Sequence, residues 1–122
     1  MNPHDPMQVV REFDKAIAAT KPLRSRVCLG QFVTHEDRSE ETLCFHAILA
    51  IDGKAVARIS NDGRGGCMDV LPMPQDGVMD ILRGFAGDVE DLASSVTQQP
   101  FHLESFLDAM VWDTARENRR IR

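Results

Sequence analysis

The sequence predicts an α+β domain: an N-terminal helix, a four-stranded antiparallel meander, and two to three C-terminal helices packed on the sheet. Three observations carry this reading. Apolar residues recur at helical spacing near both ends of the chain. Through the middle they form short runs bounded by turn residues. Asp52-Gly53 sits between two strand-forming runs, which is the strongest two-residue hairpin signal present. A chain of 122 residues fits one domain, residues 1–122, and can bury a core without disulfides.

The first helix is marked by Asp5 as a cap, Pro6 at the first helical position and Gln8 three residues after the cap. Val9, Val10, Phe13, Ala16 and Ile17 form its apolar stripe. Pro22 disfavours helix in the residue before it, so the helix ends around Thr20-Lys21-Pro22. Residues 24–34 read as a first strand whose apolar phase slips near Gly30, the mark of a bulge. His35 to Glu41 is a charged loop. A second strand runs from about Thr42 to Ile51, and a third from Lys54 to Ser60.

The Asp52-Gly53 turn sets Ile51 opposite Lys54, and hence Leu49 opposite Val56 and Ile48 opposite Ala57. In that register His46, Ile48, Ala50, Ala55, Ala57 and Ile59 share one face, whose small residues suit close packing of a helix. Leu43, Phe45, Ala47, Leu49, Val56 and Arg58 share the other. Both faces are apolar enough to be covered, the second by further chain or by a second copy in a homodimer. A fourth strand is expected over Cys67 to Leu71. Pairing Ser60 with Cys67 would place Arg58 opposite Asp69, a favourable cross-strand charge pair.

Pro72 to Asp76 breaks the sheet. Val78, Ile81, Leu82, Phe85, Val89 and Leu92 then lie on one helical face. Gly84 and Gly87 interrupt it and imply close packing or a break into two helices. After the Thr97–Pro100 linker, Leu103, Phe106, Leu107, Met110, Val111 and Thr114 form the last amphipathic stripe.

The formal net charge of -5 argues against a general nucleic-acid-coating role, which needs a basic surface. The exception is the C-terminal cluster containing Arg116, Arg119, Arg120 and Arg122, which suits a helix C-terminus or a phosphate contact. Cys28, Cys44 and Cys67 are isolated, with no C-x-x-C pair, so neither a zinc site nor a redox motif is indicated. No secretory leader pattern opens the chain and no apolar run approaches membrane-spanning length, so a cytoplasmic protein is expected.

Candidate sites are few. The loop Asn61-Asp62-Gly63-Arg64-Gly65-Gly66 could form an amide nest for an anion, with Arg64 adding charge. It joins two strands, though, and phosphate fingerprints join a strand to a helix. Hairpin geometry accounts for its glycines. Cys67 has no histidine near it in sequence to act as base. Cys44 and His46 fall short of the ligands zinc needs. Glu36, Asp37, Glu40 and Glu41 lack calcium-loop spacing. Trp112 lies off the centre of the last apolar stripe, and tryptophan is enriched in binding hot spots.

The segment 43–71, LCFHAILAIDGKAVARISNDGRGGCMDVL, resembles one in small phage and bacterial proteins in which a strand, a D/N-G turn, a second strand and an N-D-G-x-G-G loop succeed one another. The resemblance implies a mobile-element setting and carries no activity or catalytic residues. The reading is therefore a small acidic non-enzymatic interaction protein with a macromolecular partner, no catalytic residues, no metal and no cofactor. The alternative is an anion- or nucleotide-binding domain, or small enzyme, built on residues 61–66. The partner-binding candidates are Asn61, Asp62, Arg64, Trp112, Arg119 and Arg120.

Overall fold

The structure is a computed structural model, and it describes residues 6–35 and 42–121. Helix α1 (Pro6–Thr20) passes through a short 3-10 segment (Lys21–Arg26) into β1 (Val27–Thr34). Strands β2 (Phe45–Ile51), β3 (Lys54–Asn61) and β4 (Asp69–Pro72) come next, then α2 (Val78–Ser94) and α3 (Leu103–Ile121). The sheet order is β1-β2-β3-β4, antiparallel throughout. The meander with helices on either side of it in sequence is the α+β arrangement the periodicity predicts, with two C-terminal helices.

Helix α1 starts at Pro6; Asp5, its expected cap, lies outside the described residues, as does the 36–41 acidic loop. The helix ends at Thr20, whose buried hydroxyl donates to the Ala16 carbonyl at 2.8 Å. The phase slip near Gly30 is a bulge between Gly30 and Val33, where Gln31 takes a positive φ of 50°. Asp52 and Gly53 both have positive φ, 51° and 84°, as a type I′ turn requires.

The register from that turn holds for Ile51–Lys54 and Ala50–Ala55 and then shifts. Leu49 pairs with Ala57 and Ile48 with Arg58, leaving Val56 as an extra residue. This corrects the expected pairings of Leu49 with Val56 and of Ile48 with Ala57. The bulge turns neighbours Val56 and Ala57 both inward, fully buried. It also moves Ala57 and Ile59 onto the face of Phe45, Ala47, Leu49 and Ile51. That face, not the small-residue one, carries the core and meets the helices. Arg58 flips to the other face and is exposed. Among the described residues the second face is left uncovered, with His46 and Arg58 exposed and Ile48 half-buried.

The β3–β4 pairing is also displaced from expectation. Ser60 pairs with Asp69, and Arg58 with Leu71, so the Arg58–Asp69 pair does not form. Asn61 extends β3, while Cys67 and Met68 belong to the loop rather than to β4.

Helix α2 lies centrally, touching β3, α1 and α3. It buries Val78, Leu82, Phe85, Val89 and Ala93. It runs unbroken through Gly84 and Gly87, and a Cβ at either would meet nothing within 4 Å, so these glycines mark neither a break nor close packing. Phe85 meets the Phe106 ring edge-on at 5.5 Å. The Arg26 guanidinium stands 5.1 Å from the Phe85 ring centroid, and it bonds Asp52 at 2.8 Å and Asp88 at 2.7 Å. One side chain thus ties the hairpin turn to α2. Hydrogen bonds from Arg26 lower the Asp52 pKa, and bonds to Asp52 and Asp88 raise that of Arg26.

Candidate functional site

The 61–66 loop is braced from within. The Asn61 side-chain oxygen accepts the Gly63 amide at 2.8 Å and the Thr42 hydroxyl at 2.6 Å, and its amide nitrogen donates to the Gly66 carbonyl at 3.3 Å. The Gly65 amide donates to Thr42 Oγ1 at 3.3 Å, and the Arg64 amide to Asp62 Oδ1 at 3.1 Å. Gly63, Gly65 and Gly66 have φ values of 84°, 91° and 90°, which explains the glycines conformationally. Amides 63, 64 and 65, which an anion nest would present outward, are already bonded to side chains. Asn61 is buried and holds the loop, while Asp62 and Arg64 are exposed on it.

This bracing fixes the position of the next two residues. Met68 is buried, and Cys67 is exposed beside it. Thr42, Gly66, Cys67 and Met68 form one wall of a groove of about 290 Å³, with Phe13 of α1 and Glu104, Ser105, Asp108 and Trp112 of α3 around the rest. An adjoining hollow of about 490 Å³ shares Phe13, Ser105, Asp108 and Trp112, and continues along Ile17, Ala109, Asp113 and Arg116. Trp112 is half-buried and lines both. The structure therefore brings together two features that the sequence separates, the end of the glycine loop and Trp112. Arg64 lies outside both linings.

The apolar surface does not stop at the groove. Helix α1 buries Ala16 and Thr20 completely, but Met7, Val9, Val10 and Phe13 are exposed. Phe13 is held in place by an edge-on contact to Phe101 at 5.2 Å between centroids. The stripe expected to be core is thus core only in its C-terminal half.

Charge is segregated along the groove. At one end Asp113 is neutralised by Arg24 at 2.7 Å and Arg116 at 3.3 Å. At the loop end the side-chain carboxylates of Glu104 and Asp108 have no hydrogen bond or ion pair among the described residues. Partial burial raises the Asp108 carboxyl pKa. Cys67 lines the same groove as these two carboxylates, and among the described residues no imidazole or cation belongs to that lining. His46 is exposed on the uncovered sheet face, its ring 5.4 Å from that of His35. Cys44 is buried and precedes β2, so the two do not form a pair on one strand face. No group of three metal-ligating side chains occurs among the described residues. Arg119 and Arg120 are in α3, but their side chains lie outside the described residues.

Phe13, Thr42, Met68 and Glu104 are groove residues that sequence reasoning does not bring to Trp112, whereas Ser105 and Asp108 share its side of α3 by helical spacing. The neighbouring pair Val9-Val10 held one signal, because two consecutive apolar residues widen a helical stripe beyond what one core contact covers.

No family model matches the chain, and no curated protein or solved structure matches it at a significant level. No described helix is long and apolar enough to cross a membrane.

Proposed function

We propose that this protein is a non-enzymatic binding module that docks a macromolecular partner in the groove between α1 and α3. One observation carries the reading: the exposed α1 residues Met7, Val10 and Phe13 lead into a groove lined by the only tryptophan of the chain, Trp112. Aromatic anchors beside exposed apolar area are the usual centre of a protein interface. The phage or mobile-element setting implied by residues 43–71 is compatible with a small module that acts by occupying a partner's surface. The anion-binding alternative has less support, because the loop amides it would use are bonded internally and Arg64 does not face the groove.

Site-specific photocrosslinking tests the reading. A photoreactive phenylalanine analogue at position 13 is expected to crosslink a discrete protein partner in host cells. The same analogue at exposed Arg83 of α2 should not. Equal crosslinking from both positions, or none from position 13, refutes the groove as the docking site.

A further inference from the structure

We infer that the occupant of this groove is an amphipathic helix of a protein partner, carrying an apolar face and, at the Glu104/Asp108 end, lysine or arginine. The inference rests on the docking reading and adds the partner's chemistry. The helix is indicated by shape. The groove runs between two helices, with Phe13 and Ile17 of α1 on one wall and Ala109 and Trp112 of α3 on the other. An apolar helical face inserted into such a groove is a recurring recognition mode.

The basic residues are indicated by charge. Glu104 and Asp108 are spaced i,i+4 on α3, an arrangement in which like charges repel. Glu104 gains from the helix dipole in the first turn of α3. Asp108, a turn further in, gains nothing from it, and no described Lys or Arg lines the smaller groove that it shares with Glu104. Asp113, farther along, already has Arg24 and Arg116. Among the described groove residues the unpaired carboxylates are therefore at the loop end, beside apolar Met68 and Trp112. A cation arriving on a partner helix would complete it, and a carboxylate there would be repelled.

The chain has one tryptophan and no tyrosine, so its fluorescence reports on Trp112 alone. The probes are two synthetic helical peptides without Trp or Tyr. They share one leucine stripe and differ only in bearing lysine or glutamate on the polar face. The lysine peptide is expected to shift Trp112 emission to the blue and to bind about tenfold more tightly than the glutamate peptide. The double variant Glu104→Gln/Asp108→Asn should reduce that preference to about twofold. A remote control, Asp76→Asn/Asp91→Asn, changes net charge equally and should leave most of it. Thermal melts confirm that both variants fold.

If the preference survives Glu104→Gln/Asp108→Asn, or falls equally in the remote control, the charge assignment is wrong while the groove still binds helices. If neither peptide shifts the emission, the docking reading itself fails. A concentration-dependent shift without peptide would make a second copy of the chain the occupant and overturn the proposal.

Discussion

Helices α1 and α2 are both amphipathic and of similar length, 15 and 17 residues, yet they spend their apolar faces differently. Helix α2 buries five side chains between the sheet and its neighbours. Among its described side chains helix α1 sinks only Ala16 and Thr20 fully, and leaves Met7, Val9, Val10 and Phe13 at the surface. The difference is one of position. Helix α2 contacts β3 as well as both other helices, whereas α1 packs chiefly on α2. Amphipathicity shows that a face is apolar. It does not show whether the chain itself supplies the cover.

The sharpest way to break this comparison is to truncate one phenylalanine from each helix. Phe85→Ala should destabilise the protein by about 3–5 kcal/mol, because the ring is fully buried. Phe13→Ala should cost no more than about 1.5 kcal/mol, since much of its ring remains in water. Urea denaturation measures both, and comparable losses would place Phe13 in a core. The loop offers the next contrast. Asn61→Ala removes a buried brace and should cost about 1–3 kcal/mol. Arg64→Ala, on the same loop, should stay within about 0.5 kcal/mol. Phosphate should raise the melting temperature of neither the wild type nor Arg64→Ala; stabilisation of the wild type alone would revive the anion reading.

A gain is expected on α2. Gly84→Ala should stabilise by about 1 kcal/mol, because helix propensity improves and the added methyl meets open space. A loss would mean that the position packs against something. The smallest effect concerns pH. Asp108 has a raised carboxyl pKa, so the folded state holds its proton longer than the unfolded chain does. Its contribution to stability therefore falls as pH rises from the ordinary carboxylate value through the raised one. Glu12 and Asp52 have lowered values and act oppositely, losing stability as pH falls through the lowered range. Asp108→Asn should thus be slightly more stable than wild type at about pH 7, with the advantage gone at about pH 3. Chemical denaturation at both values checks this.

Much of the fold was legible locally. Asp52-Gly53 specifies its hairpin because few other dipeptides accept two positive φ angles. The bulge at Gly30 announced itself by a break in alternation. The bulge at Val56 is masked locally, because Ala55, Val56 and Ala57 are all small and apolar; its one trace is Arg58, which the unshifted register puts on the face of Leu49. The start of β4 was misplaced for a related reason, since Cys67 and Met68 extend the apolar run while belonging to the loop. Trp112 stood out as off-stripe. Asp108, one turn before it on α3, follows from helical spacing, but Phe13 and Met68 reach it only through packing between distant segments.

The docking proposal requires the Phe13–Trp112 groove, open among the described residues, to stay open apolar surface in the isolated protein. Acrylamide quenching of the single tryptophan tests it most directly. Trp112 is expected to be quenched appreciably in the native protein and to be protected, with a blue shift, when an amphipathic lysine peptide is added. Blue-shifted emission that acrylamide does not quench in the dilute protein alone would show that the groove is already filled, and would contradict the docking role.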